Sequence, residues 1–143
     1  MPYAVVVQRT VPISRQRFFA ELMDFGGVGK LSPDAVDSVT CEGEGVGAVR
    51  TVHIKGLPGP VIERLDAAFD GRLFVYSFIN ENALPLERYV AVVELADAPN
   101  GGCHVRWGSN WIAAEGSSDE TCRQMCTGLY HQLIDGIVRV AGA

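Results

Sequence analysis

Hydrophobic and polar positions along this chain follow two different periods. From Tyr3 to Ala113 they alternate largely in twos, in short runs separated by glycine, proline, Asn and Asp. From Ser117 to Val140 they recur in steps of three and four. Cys122, Met125, Cys126, Leu129, Leu133, Ile137 and Val140 make one apolar stripe on a 3.6-residue period. This predicts a single C-terminal helix, roughly 35 Å long at ~1.5 Å per residue. Ser117 and Glu120 read as a capping box at its start, and Asp119 adds negative charge to the first turn.

The runs of period two predict strands over 3–11, 35–41, 46–55, 61–69, 72–79, 86–96 and 103–113. Asp70-Gly71 is a strong two-residue hairpin signal. After the first strand, Ser14 can cap a short helix whose apolar face is Phe18, Phe19, Leu22 and Met23. Gly26-Gly27 breaks it, and a second short helix or turn runs to Leu31, before Pro33. Consecutive strands joined by short turns imply an antiparallel meander. The expectation is an α+β chain: a curved, seven-stranded antiparallel sheet around the long helix, with two short helices, as one domain over 1–143.

The same alternation assigns faces. Val105, Trp107, Ser109 and Trp111 share one side of their strand, with Arg106, Gly108 and Asn110 opposite. Tyr89, Ala91, Val93 and Leu95 face inward on the strand before, and Tyr76 and Phe78 on the one before that. Arg50, Val52 and Ile54 fall inward together, as do Val61, Glu63 and Leu65. A strongly curved sheet cannot close tightly on one helix along its whole length, so a cavity between them is expected. Met125, Leu129 and Leu133 would line it from the helix side, while Phe18, Phe19, Trp107 and Trp111 are the side chains able to fill it.

Composition narrows the function. Apolar residues are 48% of the chain, and the net charge is −5, from 12 Lys and Arg against 17 Asp and Glu. The scattered basic residues argue against nucleic acid or an anionic membrane surface as partner. No apolar run approaches the ~18 residues of a membrane helix. Met1-Pro2-Tyr3-Ala4-Val5 has no basic region followed by an apolar segment, so no signal peptide is expected. Cys41, Cys103, Cys122 and Cys126 lack zinc-ligand spacing, and Cys122 and Cys126, one turn apart on the apolar face, read as small buried thiols, so no metal or cofactor and a reduced, cytoplasmic protein are the expectation. His53, His104 and His131 are dispersed, with no ligand spacing among them. Gly43-Glu44-Gly45-Val46-Gly47 opens a strand and not a helix, so it reads as a turn and not as a dinucleotide fingerprint.

Glu63 is the most informative polar residue. A lone buried carboxylate costs several kcal/mol unless paired or hydrated, and Arg50 on the adjacent strand is the obvious partner. The pair reads either as a structural ion pair or as a polar anchor for a ligand hydroxyl or carbonyl. Tyr76 and Tyr89 bring hydroxyls on apolar bodies to the same face.

Four local matches, in order, are Asp24-Phe25-Gly26-Gly27, Gly45-Val46-Gly47-Ala48-Val49-Arg50, Glu63-Arg64-Leu65 and Pro85 to Tyr89. With the layout of elements, they resemble the helix-grip superfamily of START-domain, Bet v 1-like and bacterial polyketide cyclase/dehydrase-like proteins. The loop Gly56-Leu57-Pro58, followed by Glu63-Arg64-Leu65-Asp66, is similar to the gate of plant abscisic-acid receptors. There such a loop closes over the bound hormone. The latch and the hormone-pairing lysine of those receptors have no counterpart: Asn82-Ala83-Leu84 and Pro33 stand there instead. The resemblance implies a cavity for a small hydrophobic molecule, such as a lipid, isoprenoid or polyketide, with Leu57 and Pro58 added to a ligand-contacting set of Arg50, Val52, Glu63, Tyr76, Phe78, Tyr89, Trp107, Trp111, Met125, Leu129 and Leu133. It implies two alternatives as well. One is a cyclase or dehydratase using Glu63 as acid or base. The other is a ligand-controlled switch that recruits a protein partner or a second copy through the 56–59 loop.

Overall fold

Each predicted strand forms: β1 (Val5–Val11), β2 (Val36–Glu42), β3 (Val49–Ile54), β4 (Val61–Phe69), β5 (Leu73–Phe78), β6 (Leu86–Asp97) and β7 (Cys103–Ala113). The computed structural model describes residues 3–142. Met1 and Pro2, which open the stretch read for a signal peptide, and Ala143 lie outside the described residues. The strands make one antiparallel sheet in the order β1-β7-β6-β5-β4-β3-β2. Five pairs of strands adjacent in sequence, from β2–β3 to β6–β7, pair directly, and β1 joins the far side through β7, with Val5 opposite Ser109 and Val11 opposite Cys103. Between β4 and β5, Asp70 and Gly71 both take positive φ, 54° and 62°, as the hairpin signal requires.

The largest departures from the sequence reading are the start of the third strand and a bulge in β6. The third strand begins at Val49, not Val46. Gly45 and Gly47 adopt φ of 70° and 95°, so the chain is still turning there and Val46 is left exposed. In β6 a register shift lies between Glu87 and Val90, with Arg88 at φ 54°. This bulge lets Leu86 and Tyr89 both point inward, which strict alternation forbids.

Three α-helices cover the inner face: α1 (Arg15–Met23), α2 (Val28–Leu31) and α3 (Asp119–Gly142). Ser14 Oγ caps α1, accepting from the Arg17 amide at 3.2 Å. On α3 the cap is Ser118 and not Ser117: Ser118 Oγ accepts from the Thr121 amide at 3.1 Å. Glu120 turns forward to Gln124 and Arg123 and does not close a capping box. Ser117 Oγ instead lies beside Cys122 Sγ. The core face of α3 carries Cys122, Cys126, Tyr130, Leu133, Ile134, Ile137 and Ala141. The predicted stripe was thus one edge of that face, since Met125 is half-buried and Leu129 is 37% exposed.

The helix crosses α2 at Gly136. A Cβ there would fall within 2.8 Å of the Leu31 Cα and still nearer its carbonyl oxygen. Backbone cannot rotate aside as a side chain can, so Gly136→Ala should destabilise by about 1–3 kcal/mol. Gly128, on the same helix, has nothing within 4 Å of its Cβ position. Gly128→Ala should therefore stabilise, by up to about 1 kcal/mol from helix propensity alone. Urea unfolding of the two variants checks the opposite signs; a common sign would contradict the crossing geometry.

Candidate functional site

Between the inner sheet face and α3 lies a cavity of about 430 Å³. Its floor is Val52, Val61, Tyr76, Phe78, Leu86 and Tyr89, brought together by the inward parity of β3 to β6. Met125, Leu129 and Leu133 form the helix wall. Gln124, Gly128 and Gln132, four residues apart on α3, are exposed and form the rim. Across from them stand Val28 and Ser32 at α2 and Ala35 and Val36 at β2, while Leu84 closes the side from the 79–85 loop. That loop is fixed by Asn80, which accepts from the Ile62 amide and donates to the Pro60 carbonyl, and by Asn82, which accepts from the Leu84 amide.

Among the described residues, Arg50 and Glu63 are the only charged side chains in this wall. They sit directly opposite in the β3–β4 register. Arg50 Nε donates to Glu63 Oε1 at 2.8 Å, with side chains 8% and 12% exposed. Arg50 Nη1 donates to the Phe25 carbonyl at 3.1 Å. The guanidinium lies 3.9 Å from the centre of the Phe25 ring and 5.2 Å from that of Tyr76. The planar cation is therefore held by a carboxylate, a carbonyl and two aromatic rings.

Beneath the floor runs a chain of hydroxyls. Tyr89 and Tyr130 share a hydrogen bond between their phenols, and Tyr130 donates onward to Ser109 Oγ at 2.7 Å. Ser109 also accepts from the Trp111 indole at 3.2 Å, and Tyr76 accepts from the Trp107 indole at 3.3 Å. Burial pushes the Tyr76, Tyr89 and Tyr130 phenols well above their ordinary range, with neighbouring charge or phenols adding to it. They stay protonated at neutral pH and serve as hydrogen-bond donors. Burial also raises the Cys126 thiol, as expected for an unreactive core cysteine.

The structure brings nine of the thirteen sequence-predicted residues to the cavity: Arg50, Val52, Glu63, Tyr76, Phe78, Tyr89, Met125, Leu129 and Leu133. Four lie elsewhere. Trp107 is buried behind Tyr76, stacked on Tyr130 with ring centres 5.6 Å apart. Trp111 is half-buried and tied to Ser109. Leu57 is half-buried and Pro58 exposed in the 55–60 loop, and neither reaches the wall. That loop turns on itself, with the Leu57 amide donating to the Ile54 carbonyl at 3.1 Å. The wall from α2 and β2 and the rim of α3 were not foreseen as cavity lining. His53, His104 and His131 are exposed. Among the described residues no His, Cys, Asp and Glu cluster could hold a metal ion.

Comparison with known proteins agrees with this architecture. Ara h 8.0201 superposes with a TM-score of 0.78 at 18% identity, covering 95% of this chain and 95% of that one. XoxI from Bacillus cereus gives 0.74 at 20% identity, covering 95% and 93%. A protein of Nitrosospira multiformis gives 0.69 at 18% identity, covering 93% and 92%. These likenesses show the fold, a Bet v 1-like helix grip. No curated protein matches the chain. No helix among the described residues is long and apolar enough to cross a membrane. A family model described as polyketide cyclase / dehydrase and lipid transport matches residues 3–142. The chain therefore belongs to that polyketide cyclase / dehydrase and lipid transport family, within the START-like superfamily of helix-grip proteins.

Proposed function

We propose that the protein binds a small, mainly apolar molecule between the sheet and α3, with the Arg50–Glu63 pair as its polar anchor. Family and fold are consistent with hydrophobic-ligand binding. The observation that carries the reading is the cavity itself: about 430 Å³, walled largely by aliphatic and aromatic side chains around one ion pair. Small-molecule pockets typically span about 300–1,000 Å³, with few polar groups fixing orientation. A ligand burying ~300 Å² of apolar surface gains about 7 kcal/mol at ~25 cal/mol per Å². Association costs at least ~4 kcal/mol, so apolar burial alone supports only weak binding, and polar anchors must supply the rest.

Gly128 offers a test that spares the fold. A phenylalanine there projects into the open rim without meeting protein atoms near its Cβ. N-phenyl-1-naphthylamine, a neutral probe that fluoresces in apolar surroundings, should bind the wild-type protein. Gly128→Phe should weaken that binding by about tenfold or more, equivalent to about 1.4 kcal/mol, with an undiminished melting temperature. Unchanged affinity in the variant, or no probe binding by the wild-type protein, would remove the cavity as the binding site.

A further inference from the structure

We infer that the Arg50–Glu63 pair makes this cavity select an uncharged alcohol, an apolar body ending in one hydroxyl, over the matching carboxylate; the inference rests on the binding function proposed above. Its basis is the charge and the open valences of the wall. Arg50 and Glu63 are the wall's only charged side chains, so its net charge is zero. Both are nearly buried, so water screens them poorly.

The pair is also incompletely used. Arg50 commits Nε to Glu63 and Nη1 to Phe25. A guanidinium carries five N–H donors. The Phe25 and Tyr76 rings lie 3.9 and 5.2 Å from its centre, and Nη2 has no hydrogen bond among the described residues. On Glu63, Oε1 is engaged, while Oε2 has no hydrogen bond among the described residues. Every fully buried side-chain nitrogen and oxygen among those residues has a partner. Arg50 Nη2 and Glu63 Oε2 therefore border open volume and are not sealed in the core. A void of about 20 Å³ also borders Arg50, with room for about one water.

One open donor and one open acceptor on the same ion pair are the complement of a hydroxyl. An alcohol can donate to Glu63 Oε2 and accept from Arg50 Nη2 at once. A ketone can accept but cannot donate, leaving Oε2 unsatisfied beneath an apolar ligand. A carboxylate can accept from Arg50, but it sets a second negative charge beside Glu63 with no further cation in the wall. It would lose its hydration for a site that is neutral overall. Glu63 thus acts as the specificity-determining residue, cancelling the charge that would otherwise draw anions to Arg50.

The experiment is displacement of N-phenyl-1-naphthylamine by decan-2-ol, decan-2-one and decanoate at about pH 7.5, where the acid is ionised. The alcohol should displace the probe best, the ketone less well and decanoate at about tenfold or more higher concentration. Glu63→Gln gives the wall a net positive charge, and decanoate should then gain on the alcohol by about tenfold. Decanoate binding the wild-type protein as well as the alcohol overturns the inference, and so does a ketone equal to the alcohol. Both results leave the binding function standing, because the probe and its displacement remain. If neither the probe nor any of the three compounds binds, the binding function falls and this inference falls with it. The wild-type series decides the question even if Glu63→Gln does not fold.

Discussion

Arg50→Met should destabilise the protein by about 3–5 kcal/mol, the cost of leaving a buried charge without its partner. Glu63 would lose its cation, the Phe25 carbonyl would lose its donor, and the Phe25 and Tyr76 rings would lose the cation they contact. The double variant Arg50→Met/Glu63→Leu should recover most of that loss, because a well-packed apolar pair avoids the desolvation that the ion pair only offsets. Urea unfolding measures both. A double variant no more stable than the single would mean that Arg50 acts through its packing against Phe25 and Tyr76, not through charge. A double variant that is stable but no longer binds the neutral probe would separate the pair's role in the ligand site from its role in the fold.

Trp107→Ala should cost a similar amount, about 3–5 kcal/mol. The ring is 2% exposed, stacks on Tyr130 and meets Tyr76 edge-on at 6.4 Å. Its indole N–H satisfies the buried Tyr76 hydroxyl, so truncation both opens a void and removes a donor. Trp107→Phe keeps much of the stacking and should lose roughly half as much. Thermal and urea unfolding separate the cases. A loss below about 1 kcal/mol for the alanine variant would place the ring at the surface, against the parity of β7.

The inner sheet face was legible because one physical rule governs it. Alternation by two places Arg50 and Glu63 inward on neighbouring strands, and an unpaired buried carboxylate is too costly to leave alone. The rest of the site follows other rules. Gln124 and Gln132 border the mouth and face water, so their polarity marks them as surface although they also frame the cavity. Gly128 has no side chain to announce a face. Val28 opens, and Ser32 follows, a helix of four residues, Val28–Leu31, too short for any period to be read. Leu86 is masked by the bulge that reverses parity before Tyr89. Trp107 was read as a cavity residue because its strand parity was right. The stacking partner that draws it into the core, Tyr130, lies just off the helical stripe taken from the sequence. Leu57 entered the predicted set through resemblance to a gate loop; its side chain stands away from the wall.

The pairing of β1 with β7 has a consequence in time. Val5 must find Ser109, and no other strand among the described residues borders β1. At ~5–20 residues per second of synthesis, about 5–20 s separate the emergence of these two partners from the ribosome. Throughout that interval the first strand of the nascent chain has finished backbone edges and nothing to bond them to. Its alternating valines, Val5, Val7 and Val11, are apolar surface awaiting a core that closes only when the last quarter of the chain arrives. Contacts of such sequence separation fold slowly, in the ms–s range for sheet-dominated topologies. The meander from β2 to β6 can assemble as it is made, whereas the N-terminal strand is committed last. The cell must therefore keep the oldest part of this chain from premature association until its newest part exists.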